Sequence, residues 1–231
     1  MSMTLDVSAL FDQEVFSDVT IKFGGKERKC HKVILCAGSD YFMRLLDPKK
    51  FAEGQQASQA SIELKDDDEA AVEAMLRWLY TFDYEECRFT LPRHVGAKEA
   101  QNVNLAATLD FHLAVCVVGD KYMLRRLGEE ALDRLRKVLA AANDNAVVRL
   151  MKKLHDTPHP QSVVDLITQV RDSRLHTLIR NQNFRAHLRN DPELALAVID
   201  KIRALSEASS RLHFSRAGIH IPESVWRAAY S

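Results

Sequence analysis

Asp18 and His31 are the first candidates for catalytic residues in this sequence, because an aspartate and a histidine could form a catalytic pair. A hydrolase of that kind also needs a serine or cysteine nucleophile that its histidine activates. The sequence has no GxSxG or HExxH motif, no phosphate-binding P-loop and no dinucleotide-binding fingerprint. We therefore predict a protein that is not an enzyme, with no catalytic residues, no bound cofactor and no small-molecule substrate.

Two other pairs have the i, i+4 spacing with which a helix can present zinc ligands. Pro158 interrupts the helical spacing between His155 and His159, and His112 and Cys116 have no third ligand close by in the sequence. Nine histidines in 231 residues will also produce such pairs by chance. We predict no metal site at either pair.

The run Asp66–Asp68 also has the composition of a cation site. Aspartates directly before an amphipathic stretch more often cap the first amides of a helix and complement its dipole. We therefore interpret the run as the beginning of a helix.

Composition limits the class of protein further. The 32 basic and 32 acidic residues give a formal net charge of zero, which argues against a protein whose main task is neutralising phosphate. The longest apolar run, 113–118, is far too short to span a bilayer, and the first ten residues do not have the pattern of a secretory signal. The four cysteines form no CxxC pair, so we expect reduced thiols and an intracellular protein, cytoplasmic or nuclear.

The elements that must position these residues change in kind along the chain. Residues 18–31 read as a β-hairpin around Gly24-Gly25, and two short helices follow, the second capped by Ser39. A short strand at 61–64 and a helix over 69–81 come next. We predict an irregular insertion at 85–104, and then apolar helices over 105–122 and 124–142.

From residue 143 onward, the pattern predicts helices only. Asp191-Pro192-Glu193 is a typical helix beginning. After it, helical spacing predicts one apolar stripe, made by Leu194, Val198, Ile202 and Leu205. Trp226 and Tyr230 predict that the C-terminal tail docks on the chain itself or on a partner.

Several residue blocks in this order resemble one known family. The blocks are Ser17-Asp18-Val19, His31 to Phe42, Ile62-Glu63-Leu64 with Met75 to Thr81, and Val117 to Tyr122. Together they resemble the BTB/POZ domain, most of all the versions found in filamentous fungi. The sequence departs from the usual pattern at Gly38-Ser39-Asp40, where many members have Ser-Pro, and at Gly119, where alanine is common.

The resemblance implies an α+β protein: a BTB/POZ fold, in which a short mixed sheet flanks a cluster of helices, followed by an all-α C-terminal region. The predicted boundaries are an N-terminal segment 1–16, a BTB/POZ domain 17–142 and a helical region 143–231. The resemblance also implies a non-enzymatic protein–protein interaction module, in which Asp18, His31 and Tyr122 stabilise the fold.

Such modules self-associate, bind cullin scaffolds of ubiquitin ligases or recruit transcriptional regulators. In cullin-binding members, a hydrophobic residue, any residue and a glutamate occupy the loop that Phe51-Ala52-Glu53 fills here. The expected partner-binding residues are Phe51 and Glu53, together with Phe42 and Leu46 on the preceding helix. The alternative is that Phe51 folds back on its own domain. The paired helices after residue 143 either extend a cullin contact or only complete the C-terminal region.

The resemblance further implies that the N-terminal region packs on a second copy of the chain. We expect a homodimer contact at Leu10, Phe11, Val15 and Phe16. A second hypothesis is a transcription- or chromatin-associated factor, because residues 145–231 hold 13 basic and 8 acidic side chains whereas residues 1–84 hold 10 and 15. The basic residues are dispersed among helices, so direct nucleic-acid binding is not expected. The two oppositely charged ends are able to attract each other within one chain or between two.

Overall fold

A tight hairpin opens the fold, which is described by a computed structural model for residues 7–46, 60–84 and 97–216. Strands β1 (Val19–Phe23) and β2 (Lys26–Cys30) pair antiparallel, with Val19 opposite Cys30. Gly24 and Gly25 have φ angles of 50° and 82°, the positive values that two-residue hairpin turns favour and that glycine adopts without steric cost. The predicted hairpin is therefore present.

A parallel third strand completes the sheet. Strand β3 (Ala60–Glu63) pairs with β1, with Ile21 opposite Ile62, and the strand order is β2-β1-β3. One antiparallel and one parallel pairing make this the short mixed sheet of the predicted α+β class. Parallel pairing requires the long crossover between β1 and β3, and it contains helices α1 (Lys32–Gly38) and α2 (Asp40–Leu45).

The core of the first unit is helical. Helix α3 (Glu69–Thr81) buries its predicted apolar face, and the Asp68 side chain accepts a hydrogen bond from the Ala71 amide 2.9 Å away, as the capping interpretation requires. Helices α4 (Ala97–Lys121) and α5 (Arg125–Ala141) pack side by side, and α4 packs against α3. Helix α4 begins earlier than we predicted, because the segment 97–101 is rich in strong helix formers and follows Gly96. Residues 85–96 of the predicted insertion lie outside the described residues.

The chain divides into two compact units, Met1–Val170 and Arg171–Ser231. Helix α6 (Asp144–Asp156) lies in the first unit, and α7 (Gln161–Ser173) crosses the boundary. The second unit contains α8 (Leu175–Leu178), α9 (Gln182–Asn190) and α10 (Pro192–Arg216). The Asp191 carboxylate caps α10 by accepting from the Leu194 amide at 3.0 Å, as predicted.

The apolar stripe predicted on α10 is buried over only part of its length. Val198 is buried, but Ile202 and Leu205 are 44% and 51% exposed. The nine residues of α9 are able to cover only about the same length of α10, at 1.5 Å per residue. Periodicity predicts which residues share a face, and it does not predict how far the covering element extends.

Gly119 sets the distance between α4 and α5. A Cβ placed on Gly119 lies 3.0 Å from the backbone nitrogen of Gly128, closer than ordinary van der Waals contact. A Cβ on Gly128 meets nothing within 4 Å. Gly119, where the resembled family commonly has alanine, therefore permits a close approach of the two helices. Its lower helix propensity costs about 1 kcal/mol relative to alanine.

We expect opposite effects on stability from alanine at these two positions. Gly119→Ala forces the two backbones apart, at a cost of about 1–3 kcal/mol that exceeds the gain in helix propensity, so the variant is less stable. Gly128→Ala gains propensity alone and stabilises by about 0.5–1 kcal/mol. Thermal unfolding of the two variants tests the packing, and equal stabilisation by both would contradict it.

Candidate partner-binding surface

Asp18 and His31 fasten the beginning of α1 to the sheet and to α3. The Asp18 carboxylate accepts a hydrogen bond from the Lys32 amide at 2.7 Å. His31 is 4% exposed, and its Nδ1 lies 3.0 Å from the Tyr80 hydroxyl while its Nε2 lies 2.9 Å from the Val15 carbonyl oxygen. Both ring nitrogens are occupied by contacts within the fold, so the geometry offers no Asp18–His31 catalytic pair.

Tyr122 joins the end of α4 to two other parts of the first unit. Its hydroxyl donates to the Asp67 carboxylate, which also accepts from the Lys121 ammonium at 2.8 Å. Its carbonyl oxygen accepts from the Ser39 hydroxyl at 2.6 Å. Burial, followed by the adjacent Asp67 carboxylate, raises the pKa of Tyr122, so the phenol stays protonated and donates.

The four predicted partner-binding residues differ in whether they are exposed to a partner. Phe42 is fully buried and stacks on Tyr122 with ring centroids 5.9 Å apart, so it offers no surface to a partner. Leu46 is partly exposed at the end of α2. Phe51 and Glu53 lie outside the described residues. The exposed apolar side chain of α2 is Met43, at 52%, which sequence reasoning missed.

A groove of about 530 Å³ begins beside α2, and we call it the α2 groove. Its wall includes Asp40 of α2, Asp120 in the last turn of α4, Met123 after α4, and Pro160 before α7. The sequence separates these residues widely, and the packing of α4 and α5 brings them together. The groove therefore continues the α2 surface toward the helices that follow residue 143.

Met123 is held in an unusual backbone conformation at this groove. Its φ is 56° and its side chain is 46% exposed, although a non-glycine residue pays for left-handed geometry. Both properties are unfavourable in an isolated domain, because they combine backbone strain with apolar surface in water. No sequence signal marks this residue, since φ depends on the turn that Asp120–Leu124 makes between α4 and α5.

The predicted dimer residues divide into two pairs. Leu10 and Phe11 are half-buried on their own chain, and the Phe11 ring meets the Tyr80 ring edge-to-face at 5.5 Å. Val15 and Phe16 are 57% and 85% exposed, and Phe16 has a φ of 61°. Val15 and Phe16 are thus the exposed apolar residues of the segment that precedes β1.

The three cysteine thiols that the structure describes are not activated. Burial raises the pKa of Cys30 and of Cys116 to about 12 each, and it raises that of Cys36 as well. These groups stay protonated at physiological pH and are poor nucleophiles. Within the residues that the structure describes, no three His, Cys, Asp or Glu side chains group closely enough to hold a metal ion.

The spaced histidine pairs make contacts of other kinds. His112 Nδ1 lies 3.1 Å from the Tyr84 hydroxyl, and His159 Nε2 lies 2.8 Å from the Thr157 hydroxyl. None of the described helices is both long and apolar enough to cross a membrane.

Comparison with known proteins finds a family match in the N-terminal part of the chain. Residues 7–108 match the BTB/POZ domain family. The match confirms the α+β BTB fold predicted for this region. The predicted domain boundary at residue 142 stays a prediction.

The matched relatives align with regions of this chain that differ in length. The mouse protein Inhibitor of Bruton tyrosine kinase is 35% identical over 113 residues, 48% of this chain and 7% of that protein. The zebrafish protein Kelch-like protein 40a is 25% identical over 192 residues, 82% of this chain and 26% of that protein. This chain therefore spans a small part of the curated relatives that it matches. The solved BTB domain of human gigaxonin is 18% identical with a TM-score of 0.35, covering 52% of this chain and 78% of that chain.

Proposed function

Because this chain carries a BTB/POZ domain, which is a non-enzymatic protein–protein interaction module, we propose that it is an adaptor that self-associates and recruits a cullin-type ubiquitin ligase scaffold. The recruiting surface is the exposed side of α2 with the α2 groove and the segment that follows α2. This function places the protein in the cytoplasm or nucleus. The filamentous-fungal affiliation stays a prediction from the residue pattern.

The observation that carries the proposal is the exposed apolar surface around the α2 groove. Met43 and Met123 are each about half exposed, and Met123 is held outward at positive φ. Methionine is flexible and polarisable, which suits a surface that adapts to a partner. A partner that covers both side chains recovers the free energy that their exposure costs.

Phe51 and Glu53 enter the proposal through their position in the sequence. They follow α2 by a few residues, and their spacing is that of the hydrophobic residue and glutamate in cullin-binding members of the family. In this role Phe51 is the buried anchor of the contact and Glu53 supplies charge complementarity. Phe42 contributes indirectly, because it holds α2 in place by stacking on Tyr122.

Self-association uses other residues of the first unit. Val15 and Phe16 are exposed apolar side chains that precede β1. Two copies of this segment are able to pair across a two-fold axis, and isologous dimers are the commonest oligomers. The proposed dimer contact and the proposed cullin contact therefore use different residues, and variants are able to separate them.

We expect the double variant Phe51→Ala, Glu53→Ala to bind a purified cullin N-terminal domain at least about thirtyfold more weakly, since anchor residues contribute 2 kcal/mol or more. The same variant keeps its dimer mass in light scattering. Phe16→Ser has the reverse effect: it shifts the chain toward monomer and leaves the intrinsic cullin contact intact. Titration calorimetry and multi-angle light scattering measure the two properties.

The matched control is Phe82→Ala with Glu63→Ala, which removes the same two residue types from exposed positions elsewhere. This control retains both cullin binding and dimer mass. Unchanged cullin binding by the Phe51, Glu53 variant would contradict the assigned site. Absence of cullin binding by the unaltered chain would contradict the adaptor function.

A second candidate is a BTB-type transcription- or chromatin-associated factor. The observation that favours it is the basic surplus of residues 145–231. Part of this charge is already paired, since Arg171 and Lys201 both contact Asp172, at 2.7 and 3.1 Å. DNA binding that falls steeply with salt, in a chain that binds no cullin, is the result that would favour this candidate.

A further inference from the structure

A second cleft, of about 550 Å³, lies on a different face of α4 from the α2 groove. Its lining includes Phe111, Ala114 and Val117, which fall on one side of α4 at helical spacing. Phe111 is almost fully buried, and Ala114 and Val117 are partly exposed to the cleft. The floor is therefore apolar, and its volume lies in the range of sites that enclose ligand groups.

One edge of this cleft is acidic. Asp66, Asp67 and Asp68 line it just before α3. Asp67 is neutralised by the Lys121 ammonium and the Tyr122 hydroxyl. In the described ranges, no basic side chain lies within ion-pair distance of Asp66 or Asp68, and both are exposed. Two carboxylates without an ion pair thus lie beside an apolar floor, and Asp68 also caps α3 through the Ala71 amide.

The opposite edge carries less free charge. Asp110 pairs with Arg149 at 2.8 Å and with Lys153 at 3.1 Å, so one of the two positive charges is compensated and one remains. His159 continues this edge, and burial, together with the charge of Lys153, lowers its pKa. The imidazole is consequently uncharged at neutral pH and does not repel a cation at the acidic edge.

We propose that this cleft binds a short segment of a recruited protein in which a bulky apolar residue stands next to lysine or arginine. The apolar side chain enters between α4 and the end of α6, and the cation pairs with Asp66 and Asp68. Charge complementarity of this kind selects a basic–apolar segment over an acidic or polar one. The inference goes beyond the proposed scaffold contact, because it gives the first unit a separate surface for a second protein.

The probe is a random linear heptapeptide library, displayed on phage and selected against the full chain. We expect enrichment of sequences that combine Leu, Ile, Phe or Met with Lys or Arg. A synthetic copy of the best sequence is then titrated by fluorescence anisotropy against the unaltered chain and its variants.

The charge variant is Asp66→Asn with Asp68→Asn. Asparagine tolerates the positive φ of Asp66, 63°, and it caps a helix as well as aspartate does at position 68, so the variant keeps the fold. We expect the peptide to bind about three- to thirtyfold more weakly, with a smaller salt dependence. Ala114→Lys fills the cleft and abolishes binding. The matched control, Asp165→Asn with Asp200→Asn, removes two exposed carboxylates elsewhere and leaves the affinity unchanged.

Three results would overturn the inference. The first is a selection that enriches no basic–apolar sequence. The second is a selected peptide that binds the Ala114→Lys variant and the charge variant as tightly as the unaltered chain. The third is a concentration-dependent shift of the Ala114 and Val117 methyl signals without peptide, which would show a second copy of the chain in the cleft. None of these measurements involves cullin, so the inference and the scaffold contact fail independently.

Discussion

Replacing Phe42 by alanine is expected to lower the free energy of unfolding of the first unit by about 3–5 kcal/mol. Phe42 is fully buried, stacks on Tyr122 and meets the Tyr41 ring edge-to-face at 5.3 Å. Alanine loses these contacts and leaves a cavity that the close-packed surroundings fill only in part. At 2–4 °C per kcal/mol for a unit of this size, the melting temperature falls by about 6–20 °C.

The matched control is Met43→Ala, one residue further along α2. Met43 is 52% exposed, so its truncation changes stability by no more than about 0.5 kcal/mol while it weakens partner binding. Differential scanning calorimetry measures the stability of both variants. If Phe42→Ala melted like the unaltered chain and only lost its partner, Phe42 would be a surface residue and the packing described for α2 would be wrong.

The second large effect is expected from Ser39→Ala, at about 2–4 kcal/mol. The Ser39 hydroxyl accepts from the Phe42 amide at 3.2 Å, which caps α2, and donates to the Tyr122 carbonyl at 2.6 Å. Alanine therefore removes the cap, and it also leaves a buried carbonyl oxygen without this donor. Loss of both interactions loosens α2 from the end of α4.

Asp68→Ala separates these two contributions. Asp68 caps α3 from an exposed position, so its loss removes a cap without removing a buried hydrogen bond between distant elements. We expect about 0.5–2 kcal/mol for Asp68→Ala, which is less than for Ser39→Ala. Chemical denaturation of the two variants makes the comparison. Equal losses would show that the bond from Ser39 to Tyr122 contributes nothing beyond the cap.

Local sequence signals predicted the elements of the first unit well, since each has a local cause. Gly24-Gly25 permits the hairpin, Ser39 and Asp68 cap their helices, and a 3.6-residue period marks the buried face of α3. The beginning of α4 was missed, because polar residues with high helix propensity between 97 and 104 look irregular beside an apolar helix.

The candidate site was predicted less well, because exposure depends on what packs against a residue. Phe42 and Met43 are adjacent apolar residues of α2, and their order in the sequence does not reveal which one faces Tyr122. Met123 became a candidate only through its positive φ and its place in the α2 groove. The second cleft likewise joins Asp66 to Ala114, residues that only the packing of α3 and α4 brings together.

The sequence by itself determined the element types, the caps, the BTB/POZ resemblance and the lack of catalytic motifs, since these depend on neighbouring residues or on short blocks. Tertiary structure alone decided which apolar residues are left for a partner, why Gly119 is needed, and which aspartates stay unpaired. Those properties arise from contacts between residues far apart in the chain, such as Gly119 with Gly128 and Asp67 with Lys121. The zero net charge of the chain therefore conceals local imbalances, and the clearest of them is the pair Asp66 and Asp68 beside an apolar floor.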